Sequence, residues 1–191
     1  MSAAALRSLF AEQGAPVMAG GRAFLLGGDT AWLVAQGHVD VFAVRVRDGE
    51  PHGARRHLTR VESGDALLGM GGAAGERGMA LLAAGSASAR LLALSQSRLR
   101  EAADGDGRQA AVAAVEGWAA ALCEGVARDV VPRRCDDLAP GTARTLAAGA
   151  SLRPAGVVWL RALEGATCLV ARRTLAISGA APVPVAAPAW V

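Results

Sequence analysis

The spacing of apolar positions changes along the chain, and each change marks a different kind of element. In AAALRSLFAEQ (residues 3–13), Leu6, Leu9 and Phe10 recur at helical spacing, and Gly14 stands where a helix would stop. A short helix is therefore expected in the N-terminal segment 1–20. From Arg22 to Ser95 the runs shorten to RAFLLG, TAWLVAQG, HVDVFAVRV, RRHLTRV, DALLGM, MALLAAG and ARLLALS, punctuated by glycine. In HVDVFAVRV, Val39, Val41, Ala43 or Val44, and Val46 nearly alternate with other positions, as in a half-buried strand. Asp48-Gly49 is a hairpin signal. About seven or eight short strands predict a small barrel or double-stranded β-roll over residues 21–96.

Helical spacing returns at residues 97–103 and 108–128, separated by DGDG, within a helical region spanning 97–131. Val112, Val115, Ala119, Leu122 and Val126 follow one another at alternating steps of three and four, with Trp118 beside them. Such a stripe either packs on the roll or forms a dimer seam. Residues 132–144, rich in Pro, Gly and polar groups, read as a linker. Residues 145–191 read as a second small β-segment, in which LAAGASLRPAGVVWLRALEG weakly repeats RAFLLGGDTAWLVAQGHVD and matches Trp159 to Trp32. The closing APVPVAAPAWV is expected to be an extended tail, because its prolines suit neither a helix nor a central strand. Too few residues remain for a second roll, so 145–191 is either a reduced subdomain or part of something longer. The fold class is mainly β with helices (α+β).

Composition narrows the function classes. Of 191 residues, 52% are hydrophobic and 19% charged, enough for a packed core. All 20 basic residues are Arg, and Lys, Asn and Tyr are absent, which points to GC-rich coding rather than to a chemical need. A net charge of +3, interspersed acids and 4% aromatic residues argue against a nucleic-acid partner. Cys123, Cys135 and Cys168 form no CxxC pair, so neither a disulfide framework nor a zinc site is expected, and a reducing cytoplasm fits. The N-terminus lacks a secretory pattern, and no uninterrupted apolar run suggests a spanning helix.

The inventory of reactive groups is thin. His38, His52 and His57 lack the His-x-His step that would put two rings on one strand face, so no metal is expected. There is no G-x-S-x-G elbow, and a chain without Lys holds no Walker-type loop. GMGGAAGERG (residues 69–78) reads as a mobile loop rather than a phosphate cradle. No catalytic residue and no cofactor is expected. Arg45, Arg47, Arg55, Arg56 and Arg60 crowd one predicted hairpin, where they could grip carboxylates or phosphates, or simply solvate a sheet edge.

The order of helix, WLVAQGHVDVFAV, RVESGDALLGM and long helix resembles the cyclic-nucleotide-binding-like fold. In that family a cassette Gly-Glu/Asp-x-x-Gly-Glu, followed further on by Arg and a small residue, holds the ribose hydroxyl and the cyclic phosphate. Gly64, Asp65 and Gly69 match the start of the cassette with one residue inserted, Met70 stands at the position of the acid, and Arg77 lies out of register. A degenerate ligand cassette is thereby implied. The wording WLVAQGHVDVFAVRVRDGEPHGARRHLTRVESGDALLGM is similar, most strongly over 29–70, to the N-terminal region of the ATP-binding/permease exporters of NHLM/NHLP bacteriocin systems. Those proteins carry such a degenerate domain ahead of membrane and ATPase domains. The resemblance implies a non-catalytic cytoplasmic accessory domain, on the inner-membrane face if part of an exporter. Its partners would be a leader peptide or other exporter domains, and it would be a homodimer. A sensor for some other small molecule and a cupin-type enzyme are the alternative expectations.

Overall fold

The computed structural model describes residues 3–18, 20–70, 77–128, 135–139, 141–147, 149–161, 166–170, 173–177 and 182–191. Helix α1 (Ala3–Gln13) leads into β1 (Ala15–Met18), β2 (Ala23–Leu25), β3 (Thr30–Gln36), β4 (His38–Arg47), β5 (Glu50–Glu62), β6 (Ala66–Leu68), β7 (Arg77–Gly85) and β8 (Arg90–Ser95). Helices α2 (Gln96–Ala103) and α3 (Arg108–Ala127) follow. Then come β9 (Asp136–Leu138), β10 (Leu152–Pro154), β11 (Val157–Leu160), β12 (Ala166–Val170), β13 (Arg173–Ile177) and β14 (Val183–Ala186). The chain divides into two compact units, Met1–Trp118 and Ala119–Val191.

In the first unit, two four-stranded antiparallel sheets run β1-β8-β3-β6 and β2-β7-β4-β5. Every expected apolar run supplies a strand, and β1 is an addition. Its sequence APVM has no alternation, and it is defined only by its partner, with Pro16 opposite Leu92 on a sheet edge that needs no N–H. Four consecutive residues of β3, Ala31 to Val34, are buried because both faces of the strand are covered. Ala31 and Leu33 join Leu6, Leu9 and Phe10 of α1, Leu99 of α2, and Ala110, Ala111 and Ala114 of α3 in one cluster. The other face of β3 turns to the second sheet, where the Trp32 ring meets Phe24 of β2 at 5.4 Å. The layers are thus helices, sheet, sheet.

The β4–β5 hairpin turns through Asp48 (φ 53°) and Gly49 (φ 79°), the left-handed pair that a two-residue turn of matching twist requires. Helix α2 starts at Ser95, whose hydroxyl accepts from the Arg98 amide at 3.3 Å.

Contrary to the expectation that no segment suits a membrane, α3 is long and apolar enough by composition to cross one. Within it, Ala110, Ala111 and Ala114 serve the cluster with α1 and β3.

In the second unit β9 pairs in parallel with β10, and β11–β14 and β12–β13 form antiparallel pairs. Strand β9 lies within the stretch read as a linker. The Pro/Ala tail is no loose appendage: Val185, Ala189 and Trp190 are buried, and Leu152 and Val191 exchange backbone hydrogen bonds of 2.8 and 2.9 Å. Pro184 is accommodated because β14 belongs to a two-stranded ladder, opposite Trp159. The two tryptophans of the weak repeat differ in setting, Trp32 being buried and Trp159 45% exposed.

Candidate functional site

The residues read as a degenerate cassette flank β6, with Gly64 and Asp65 before it and Gly69 and Met70 after it. Gly64, at φ 103°, is buried in the turn and donates to Val34 O at 2.8 Å, while Val34 N donates to Asp65 O at 3.0 Å. The Asp65 side chain is exposed. Gly69 is required for another reason, close approach of backbone. A Cβ there would lie 2.7 Å from Gly28 O and 2.9 Å from both Gly27 O and Thr30 O. Its amide donates to Thr30 O at 2.8 Å, and its carbonyl accepts from Gln96 Nε2 at 2.7 Å. Met70 N donates to Leu26 O at 3.0 Å, but the Met70 side chain points outward, 51% exposed. At position 70 the chain thus offers a thioether, a weak acceptor, where the resemblance leads one to expect a carboxylate. Residues 71–76, most of the glycine-rich stretch, lie outside the described residues, as does the side chain of Arg77.

The arginine group does not form one cluster. The β4–β7 register runs without a break from Val39↔Gly85 to Arg47↔Arg77, so side chains along β4 alternate strictly between the two faces. Arg45 and Arg47 share one face with Ala43, and through the β5 pairing with His52 and Arg56. Asp40 and Phe42 are on the opposite face, with Arg60 and His57. There the Asp40 carboxylate accepts from Arg60 Nε at 2.9 Å through Oδ1 and from Arg60 Nη2 at 3.1 Å through Oδ2. His57 Nε2 lies 3.1 Å from Asp40 Oδ1, and its ring meets Phe42 edge-on at 5.3 Å. The Arg60 hydrogen bonds, outweighing partial burial, hold the Asp40 carboxyl below its ordinary value; His57 contributes in the same direction. Arg60 is correspondingly raised by Asp40. Arg55 falls in an irregular stretch of β5 between the pairs Ala43↔Arg56 and Arg45↔His52.

His52 and His57 project from opposite sheet faces, and His38 pairs with Glu62 at the start of β4. On α3, Ala119 is buried, Val115 packs against the α1–β3 cluster, Leu122 is half-buried, and Val112 and Val126 are exposed. In the second unit burial pushes the Cys123 thiol up, and Arg153 bonds Asp137 Oδ1 at 2.9 Å.

Two constellations escaped the sequence reading. The Asp40–Arg60–His57 group needs the true register. A regular ladder counted from Asp48-Gly49 sets Asp40 opposite His57, but irregularities in β5 shift the pairing and bring Arg60 there instead. The second is Gln96. Its backbone N donates to Asp29 O at 2.9 Å and its amide reaches Gly69 O, while Asp29 Oδ1 takes Arg100 at 3.2 Å. A polar residue directly after a helix N-cap was the only available signal.

Helix α1, the two antiparallel four-stranded sheets and the helices after β8 give a cyclic-nucleotide-binding-like β-roll of the α+β class. No protein-family model and no curated protein matches the chain. Among solved structures, CprK complexed with OCPA is 16% identical over 55% of this chain and 47% of that chain, at a TM-score of 0.42. This chain therefore matches about half the length of CprK. A cyclic nucleotide-binding-like protein from Brucella abortus is 19% identical over 52% and 84%, at 0.34. The heme domain of CooA from Carboxydothermus hydrogenoformans is 11% identical over 67% and 91%, at 0.48. Likenesses this distant carry no argument about ligand, partner or activity, and the fold statement rests on the strand order and register.

Proposed function

We propose that the chain is a non-catalytic regulatory domain that keeps the cyclic-nucleotide-binding-like roll as a scaffold and works by binding a polypeptide. The setting is a cytoplasmic accessory role in a bacteriocin-type peptide exporter, with a leader peptide or another exporter domain as partner. The observation that carries this reading is the cassette: Gly64 and Gly69 preserve the turn, while Met70 faces solvent in place of the acid. A phosphate or ribose lodged there without charge-assisted partners would lose the interactions that repay its desolvation. Exposed Val112 on α3 supports a two-fold pairing through that helix.

The test is sedimentation of the full chain together with calorimetric titration of leader peptides. A dimer that takes up leader peptide is expected. A strict monomer that gives no heat with such peptides overturns the reading. A thermal-shift screen separates it from a small-molecule sensor. A true ligand at one hundred times its Kd adds about 2.7 kcal/mol, and cyclic nucleotides are expected to add nothing.

A further inference from the structure

We propose that the outer end of the β4–β5 hairpin is a docking face for an extended acidic peptide, with Arg45 and Arg47 as its paired carboxylate contacts. This rests on the reading that the domain binds a polypeptide, and it names the face and the chemistry. The register lays the face out as cross-strand rows on one side of the sheet: Leu81–Ala43–Arg56, Met79–Arg45–His52 and Arg47–Glu50. Arg45, Arg47, His52 and Arg56 are exposed, and Met79 of β7, opposite Arg45, is 67% exposed. Arg45 and Arg47 are two strand residues apart, about 6.8 Å, which is also the repeat of alternate side chains in an extended peptide. A peptide lying along β4 with acids at alternate positions therefore meets one guanidinium per acid.

Two features set the limits of the face. At the turn, Arg47 Nε lies 3.9 Å from Asp48 and its register partner is Glu50, so the charge is strongest around Arg45. Arg60 is excluded, because it lies on the other side of the sheet with Nε and Nη2 on Asp40. The partner class follows from what surrounds the guanidiniums. The rows contain a thioether, aliphatic groups and a single ring, the His52 imidazole, while Phe42 is on the reverse face. That suits carboxylates and aliphatic side chains better than a nucleic-acid strand, which would call for stacking platforms.

The experiment is fluorescence anisotropy on the full chain with a labelled octapeptide alternating Glu and Thr. The comparisons are a peptide of the same composition with its Glu residues in one block, a dT oligonucleotide, and phosphatidylglycerol vesicles. The alternating peptide is expected to bind at least tenfold tighter than the blocked one. The R45Q/R47Q double variant is expected to lose at least tenfold in affinity, and R60Q to stay within twofold of wild type. Because Arg45 and Arg47 are exposed, circular dichroism should show an unchanged fold. Absence of peptide binding, equal binding of the two peptides, or equal losses in R60Q and R45Q/R47Q overturns the proposal. So does an oligonucleotide or vesicle that binds as tightly through the same two arginines. Undiminished leader-peptide binding by R45Q/R47Q would sink this inference and leave the domain reading standing. Acidic-peptide binding with no response to leader peptides would do the reverse.

Discussion

Gly69→Ala tests whether the cassette turn is held by backbone contact rather than by any ligand. The added carbon would lie 2.7 Å from one carbonyl oxygen and 2.9 Å from two others. A carbon–oxygen contact normally needs about 3.3 Å, so three backbone oxygens would have to retreat by about 0.4–0.6 Å. None belongs to a side chain that can rotate away, which puts the cost at the upper end of overpacking, about 2–3 kcal/mol. Two other glycines calibrate the number. Gly28 sits at φ 73° with nothing near its missing Cβ, so Gly28→Ala pays only for strain, about 1 kcal/mol. Gly78 has open space and no positive φ, so Gly78→Ala should be neutral or slightly stabilising. Hydrogen exchange of the β3 amides, read by mass spectrometry where exchange proceeds through global opening, gives the scale. Gly69→Ala should speed it by about thirtyfold or more, at tenfold per 1.4 kcal/mol, Gly28→Ala by about fivefold, and Gly78→Ala not at all. If Gly69→Ala exchanges like Gly78→Ala, the described close approach of Gly69 to Gly27, Gly28 and Thr30 is wrong.

Asp40→Asn should flatten the acid limb of thermal stability. Because the Asp40 carboxyl is depressed in the folded chain, its ion pair contributes fully above the ordinary value of 3.8 and fades as pH falls through the folded value. Melting curves from about pH 6 down to pH 2 should therefore diverge between wild type and variant at the upper end and converge at the lower. The difference will be small, since Arg60 is half exposed. Gln96→Ala leaves the Gly69 carbonyl short of a donor, costing about 1 kcal/mol, and should raise exchange at the Met70 amide while the β4 amides stay protected. Trp190→Ala should cost the second unit about 3–5 kcal/mol and expose residues 119–191 to limited proteolysis, since Trp190 is buried in a packed tail. Unchanged protease resistance would return that tail to an ornamental role.

How far the sequence could be read followed the range of the interaction. Helices α1, α2 and α3 were legible to within a residue or so because their signals are local: apolar spacing, Gly14 and the DGDG break. The hairpin was legible from Asp48-Gly49. The uncertain choice between Ala43 and Val44 in the β4 alternation has a structural counterpart. Val39 and Val41 are buried on one face, and Val44 and Val46 on the other, so the inward phase changes midway along an unbroken strand. Strand β1 and the tail around Trp190 were not legible, because each is specified by partners far away in the chain. The arginine group was read as one cluster because composition counts charges without assigning faces. Only the pairing separates Arg60 from Arg45 and Arg47. The contact of Gln96 with the Gly69 carbonyl was not legible either.

The Gln96 contact has a thermodynamic corollary. One side chain ties the carbonyl of Gly69 to the first turn of α2, whose backbone and Arg100 are also tied to Asp29. Two positions joined in this way share a coupling free energy, and coupling is reciprocal. Whatever favours one placement of α2 must favour one placement of the Met70 backbone by the same factor, and a molecule that settles beside Met70 must bias α2 in return. Met70 thus stands at one end of a two-way linkage whose other end is the first turn of α2.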